Sequence, residues 1–284
     1  MRILDKGNLN IDLNKLGFQE RALADFSHAI AQPYGMVLVT GPTGSGKTTT
    51  LYSALSKINL PEVNIMTAED PVEYNLEGIN QVLVNDGVGL SFAAALRSFL
   101  RQDPNIIMVG EIRDIDTGSI AVKAALTGHL VLSTLHTNDA PSTINRMIDM
   151  GIEPFLVASS TNLIMAQRLL RKVCKSCMTD VKLHPEVLRE LGLSDEEARK
   201  ETFKEGKGCV DCNNTGYKGR MGVYEVMPMS PKIRDLILDR SSVSNIKKQA
   251  MVEGMFTLRM DGLVKLKNGI TTAEEVLKET AADR

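Results

Sequence analysis

The stretch Gly41-Pro42-Thr43-Gly44-Ser45-Gly46-Lys47-Thr48 fits the spacing G-x-x-x-x-G-K-[ST] at every position. It follows the apolar run Met36 to Thr40 and precedes a segment of helical character, which is the strand-loop-helix frame such a loop requires. Glycines let backbone N–H groups turn inward as an anion nest, and the following helix adds the partial positive charge of its N-terminus. In that setting Lys47 reaches the β- and γ-phosphates of a nucleotide and the Thr48 hydroxyl ligates magnesium, with Gly41, Thr43, Gly44, Ser45, Gly46 and Thr49 completing the cradle. The bland alternative, a glycine-rich turn that binds nothing, accounts poorly for a full match in the right frame.

From Gly35 onward short apolar runs alternate with helical stretches, the pattern of a parallel α/β sheet covered on both faces. Strands are expected near Met36 to Thr40, Val63 to Thr67, Ile106 to Val109 and Leu130 to Leu135. Ser91 is positioned to cap a helix running to about Gln102, and Pro104 prevents its continuation. Asp116 is expected to cap the next helix, which Gly128 ends; further helices are expected from Pro141 to Met150 and from Pro154 towards Arg171. The organisation read from these shifts is a linker at residues 1–15, a core at 16–172, a four-cysteine module at 173–215 and a helical region at 216–284.

Hydrolysis of a triphosphate needs a carboxylate near the γ-phosphate to orient water and support the metal shell. Glu111, after the buried run Asn105 to Gly110, supplies one and is the candidate to hold magnesium with Thr48, through water or directly. Gly110 stands where such strands ordinarily carry Asp. Glu69, Asp70 and Glu73 follow another strand, and His136 follows a third; ligands sit beyond the carboxyl ends of parallel strands, so these groups are expected on one edge. Arg97 and Arg101, four apart, share a helix face, and Arg113 lies just past Glu111. Such arginines stabilise phosphoryl charge in cis or from another subunit, against the bland reading of a solvated helix face.

The 33 basic and 35 acidic residues nearly cancel, and aromatics are 4% with no Trp, so nucleic acid is not expected as a partner. No secretory h-region and no run of 18 apolar residues is present, which reads as a cytosolic chain without a transmembrane segment. All four cysteines fall in two C-x-x-C knuckles, Cys174/Cys177 and Cys209/Cys212. Two knuckles close a structural all-thiolate zinc site; a redox dithiol pair and unliganded thiols are the other readings, and the long insert between them is expected to form a loop or helix of its own.

Taken together, Gly41 to Thr50, Thr67 to Tyr74, Phe99 to Asp114, Thr127 to Ala140, Gln167 to Cys177 and Gly216 to Glu225 resemble the secretion ATPase superfamily, specifically its type II secretion and type IV pilus extension branch. In that family the first four are the Walker A, Asp box, an atypical Walker B with Gly at the position of Gly110, and the His box. The resemblance implies a RecA-like P-loop NTPase core with a zinc module and a small helical C-terminal region. It implies hydrolysis of ATP with Mg2+ in a homo-hexamer, peripheral at the cytoplasmic face of the inner membrane, coupled to a platform protein and to assembly of pilin-like subunits. By motif position Glu111 is the catalytic glutamate, Glu73 and Glu69 the Asp-box acids and His136 the His-box residue. Arg97, Arg101, Arg113, Arg146 and Arg220 resemble the family's phosphate-proximal or intersubunit arginines.

Retraction-type relatives typically lack the cysteines, so the Zn2+ module favours the extension or secretion branch. Asn105 departs from the family's usual Asp, and Arg2 to Lys6 resembles the end of a preceding domain, as in a C-terminal motor fragment. The readings from other classes are a DNA-translocating or other P-loop ATPase whose cysteine unit reads nucleic acid, and a P-loop kinase, for which the sequence offers no acceptor motif.

Overall fold

The structure, a computed structural model, describes residues 12–193 and 202–283. The expected linker at 1–15 lies outside these residues except for its end, where Leu13–Lys15 form a 3-10 turn capped by Asp12. The chain divides into two compact units, each discontinuous in sequence: Met1–Ala166 with Val226–Met255, and Gln167–Glu225 with Phe256–Arg284.

In the first unit helix α1 (Glu20–Ile30) leads to strand β1 (Gly35–Thr40), whose six residues are all buried. Then follow α2 (Lys47–Ile58), β2 (Ile65–Glu69), β3 (Asn80–Leu83), α3 (Phe92–Phe99), β4 (Ile106–Val109), α4 (Ile115–Leu126), β5 (Leu130–Leu135), α5 (Ala140–Asp149) and α6 (Pro154–Ser160). Every residue of β1, β4 and β5 is buried, as expected of central parallel strands covered on both faces. Strands β1 to β5 lie parallel to their neighbours, with β5 between β1 and β4, and β2 between β4 and the edge strand β3. The sheet continues past β1 into β6 (Thr161–Val173) and β9 (Tyr217–Pro228), each of which passes from one unit into the other. Helices α8 (Pro231–Leu238) and α9 (Val243–Val252) complete the first unit.

The second unit pairs β7 (Met178–Val181) antiparallel with β8 (Phe203–Gly206) and adds α7 (Pro185–Glu190) between them. It closes with α10 (Leu258–Lys267) and α11 (Ala273–Glu279). Its interior holds the ion pair Lys265 to Asp261 at 2.6 Å, with the Tyr224 amide donating to the same carboxylate oxygen at 2.8 Å. Glu275 anchors Arg171 through both carboxylate oxygens at 2.6–2.8 Å.

Three expectations change. The helix projected from Pro154 towards Arg171 stops at Ser160, and the chain continues as strand β6. Burial on both faces erases the period that separates a buried helix from a buried strand, and the open side of β1 supplies the pairing that selects extension. The region after Gly216 likewise opens with a strand, β9, before its helices, and the half-exposed edge strand β3 lacks the apolar run that would announce it. Finally, Asp114 rather than Asp116 caps α4: its extended backbone lets the carboxylate accept from the Thr117 amide at 2.7 Å, while Asp116 falls inside the first turn.

Asp114→Ala is accordingly expected to lower stability by about 1 kcal/mol, as the loss of an N-cap does. Asp116→Ala should cost only about 0.3 kcal/mol, the exposed dipole contribution. Urea unfolding of the two variants checks the order.

Candidate functional site

Parallel pairing brings the relevant loops to one edge of the sheet. Thr40 stands opposite Leu135, Val109 opposite Ser133 and Ala68 opposite Val109, so the chain leaves β1, β5, β4 and β2 on the same side. The Gly41 to Thr48 loop, the His136 loop, Glu111 and the Asp70 to Glu73 segment therefore emerge in that spatial order. Strands lie about 4.8 Å apart, which puts the root of the phosphate loop roughly 10 Å from the strand bearing Glu111.

Gly44 and Gly46 both adopt the left-handed conformation, at φ 81° and 89°, that turns successive amides inward. Lys47 begins α2, and its ammonium rests on the carbonyls of Gly41 at 2.7 Å and Pro42 at 3.1 Å. The Ser45 hydroxyl is buried with no hydrogen-bond partner, and Thr43 and Gly44 are exposed. Thr48 and Thr49 are half-buried in the first turn of α2. An anion nest, a helix N-terminus, an orphaned hydroxyl and a lysine held on loop carbonyls suit a polyphosphate with its cation.

Glu111 keeps only 17% of its side chain exposed and is held from two directions. Arg113 hydrogen-bonds one carboxylate oxygen, and His136 Nε2 lies 3.2 Å from the other. Burial pushes the Glu111 carboxyl up, but the Arg113 hydrogen bond and charge, joined by His136, outweigh it and hold the group below the usual carboxylate range. Gly110 lies so close to β2 that a Cβ would meet the Ala68 carbonyl at 3.3 Å and Phe92 at 3.4 Å. Tight packing thus explains glycine where an acid was ordinarily expected. Asn105 receives the Asn64 amide at 2.7 Å at the far end of β4 and serves strand pairing.

The two acids after β2 diverge. Glu69 is 3% exposed and turned inward, accepting from Tyr52, from Thr67 at 2.5 Å and from Gln81 at 3.0 Å, so it does not face the edge with Glu111 as expected. Glu73 sits half-buried in the loop beyond, with its amide donating to the Tyr52 hydroxyl at 3.3 Å. Burial first, then the Glu69 hydrogen bond and charge, push the Tyr52 phenol up. Arg97, Arg101 and Arg146 are exposed on the first unit, and Arg220 is exposed on the second. His129, before β5 and so at the opposite end of that strand, donates from Nδ1 to the Ala124 carbonyl in the last turn of α4 at 3.0 Å.

Sequence reasoning missed Thr40, Thr137 and Tyr52. Thr40 and Thr137 share a hydroxyl contact of 2.7 Å, Thr137 meets Thr143 at 2.6 Å, and the Thr137 amide donates to Thr40 at 2.8 Å. This chain ties the His136 loop to the strand that carries the phosphate loop. Their positions beside Gly41 and His136 were the available signal.

In the second unit the four cysteine sulfurs lie within 4.8 Å of one another. Cys174 to Cys209 and Cys177 to Cys212 are 3.8 Å, and Cys209 to Cys212 is 3.7 Å. Zinc–sulfur bonds of about 2.3 Å put tetrahedral sulfurs about 3.8 Å apart, so the donor set fits that ion. Burial opposes ionisation of Cys212, but amides of Cys209 and Gly216, donating at 3.2 and 3.3 Å, bring its thiol down to about 6. A Cβ on Gly206 would lie 2.1 Å from the Gly216 carbonyl, so the knuckle closes only with glycine at this crossing.

The profile of the type II/IV secretion system protein family matches residues 1–278. The chain is 58% identical over 285 residues to the type IV pilus assembly ATPase PilB of Myxococcus xanthus, covering 100% of this chain and 50% of that protein. It is 47% identical over 280 residues to the type II secretion system protein E of Dickeya dadantii, covering 99% and 55%. The chain thus spans about half the length of these relatives. Among solved structures, the ADP-bound pilus retraction motor PilT matches with a TM-score of 0.71 and 30% identity over 95% of this chain and 67% of that one.

Because Arg113 and His136 oppose the upward push of burial on Glu111, Arg113→Ala should move the Glu111 titration to higher pH. Carboxyl 13C NMR reads this directly; an unmoved midpoint would remove Arg113 as the controlling partner.

Proposed function

From the premise that the chain belongs to the type II/IV secretion system protein family, we propose that it is the Mg-ATP-hydrolysing motor portion of a machine that assembles type IV pilus or type II secretion pseudopilus subunits. The observation that carries this reading is the emergence of the phosphate loop, His136, Glu111 and the Glu73 loop from four neighbouring parallel strands. Names of the most similar curated relatives, pilus assembly ATPase and secretion protein E, support the branch.

In this reading the Gly41 to Thr49 nest and Lys47 bind the phosphates, and Thr48 with Glu111 holds the Mg2+ shell. A Mg2+ ion held there would supply positive charge against that developing on the transferred phosphoryl oxygens. Glu111 orients water and takes its proton at the carboxylate, which must first leave Arg113 or His136. Those two groups then face the phosphate edge with positive or hydrogen-bonding character. Glu73 supports the metal shell, with Glu69 acting behind it. Exposed Arg97, Arg101, Arg146 and Arg220 are available to neighbouring subunits of a RecA-like homo-hexamer. The four cysteines hold a structural Zn2+ in a module around residues 173–215. No helix among the described residues is long and apolar enough to cross a membrane. Peripheral attachment at the cytoplasmic face of the inner membrane through a platform protein is the corresponding proposal.

Phosphate release by the purified protein with ATP and Mg2+, without any acceptor, tests the activity; DNA should leave the rate unchanged. Lys47→Ala is expected to lose nucleotide binding, whereas Glu111→Gln keeps binding and loses turnover by about 100-fold or more. Normal turnover in Glu111→Gln would refute its role.

Replacing Cys174 and Cys209 together should abolish zinc measured by elemental analysis and loosen the local module while leaving nucleotide binding at the phosphate loop. Full zinc occupancy in that variant would overturn the ligand assignment.

A further inference from the structure

The loop that carries Glu73 contains no regular secondary structure from Asp70 to Ile79, yet it is braced at several points from behind. Tyr52, on the helix that the phosphate loop begins, is fully buried and reaches across to the end of β2. Its hydroxyl donates to one oxygen of Glu69 and accepts from the Glu73 amide at 3.3 Å. Gln81, on edge strand β3, donates to the other oxygen of Glu69 at 3.0 Å and to the Tyr74 carbonyl at 3.2 Å, and accepts from the Leu76 amide at 2.7 Å. The Tyr74 ring meets the Tyr52 ring edge-on with centroids 4.5 Å apart.

Three points of the Glu73 loop, at residues 73, 74 and 76, are therefore fastened to a Tyr–Glu–Gln cluster that is itself anchored on α2, β2 and β3. A buried carboxylate with several committed donors is a rigid strut, because releasing any one of them leaves a polar atom unsatisfied. We propose that Tyr52 and Gln81, working through the inward carboxylate of Glu69, are positioning residues that fix the Glu73 loop relative to the phosphate-loop helix. The inference rests on the proposed Mg-ATP hydrolysis and assigns Glu69 a bracing role rather than contact with metal or nucleotide.

The test compares Tyr52→Phe, which keeps the ring and removes only the hydroxyl, with Gln81→Leu and with Ser53→Ala. Ser53 is the next residue on the same helix and spends its hydroxyl on the Thr49 carbonyl at 2.8 Å, so it controls for simple loss of a buried helix contact. Expected in Tyr52→Phe and Gln81→Leu is a fall in kcat of about 10- to 100-fold. The KM for ATP should stay within about twofold of wild type, because the phosphate loop is untouched. The Mg2+ concentration for half-maximal rate should rise, and amide exchange should accelerate at residues 71–77 but not in β1. Ser53→Ala should keep kcat and Mg2+ dependence.

Wild-type protein that releases no phosphate overturns the hydrolysis reading and this inference with it. An active wild type beside a Tyr52→Phe variant with unchanged kcat, Mg2+ dependence and loop exchange overturns the inference alone. Equal loss of kcat in Ser53→Ala overturns it as well, since the effect would then be one of helix stability.

Discussion

The parallel pairing of β1, β5, β4 and β2 is the constraint on which the candidate site depends. It converts four segments separated by up to about a hundred residues into neighbouring loops, with spacing set by backbone hydrogen bonds rather than by side chains. The insertion of β5 between β1 and β4 gives the His136 loop the central place. From there His136 reaches Glu111 on one side, and Thr137 fastens to Thr40 on the other. The loop in the middle is thus pinned by short hydroxyl contacts while its imidazole stays exposed and free to exchange partners.

Two glutamates at adjacent strand ends show how environment separates roles. Glu69 is enclosed with neutral donors and carries none of its oxygens to the edge. Glu111 is partly open and paired with a cation and an imidazole, so its partners can be traded without leaving a buried group unpaired. The same chemical group braces in one setting and is poised in the other, and the difference comes from which neighbours remain solvent-accessible.

Much of this was legible in the amino acids. The phosphate loop declares itself by residue identity at fixed spacing, and β4 and β5 are found at the residues expected because short apolar runs flanked by polar breaks have few other uses. The cysteine knuckles were equally plain, since thiols in C-x-x-C pairs converge by local geometry. What escaped was non-local. Strand β6 owes its extension to a partner more than a hundred residues earlier, and the inward turn of Glu69 depends on Tyr52 and Gln81, which no local pattern links to it. Asp114 and Asp116 are both good caps, and only the backbone path out of Arg113 decides between them.

The division of the chain has a consequence for how such a protein can be rearranged. The backbone passes from one compact unit to the other at Ala166/Gln167, Glu225/Val226 and Met255/Phe256, and the first two passages fall inside unbroken strands. No single cut therefore yields either unit whole, and swapping the cysteine-bearing unit between relatives demands two grafts, one of which, Gln167–Glu225, is joined in mid-strand at both ends, where pairing register must survive the splice. Inheritance of the two units is tied together by the covalent path itself.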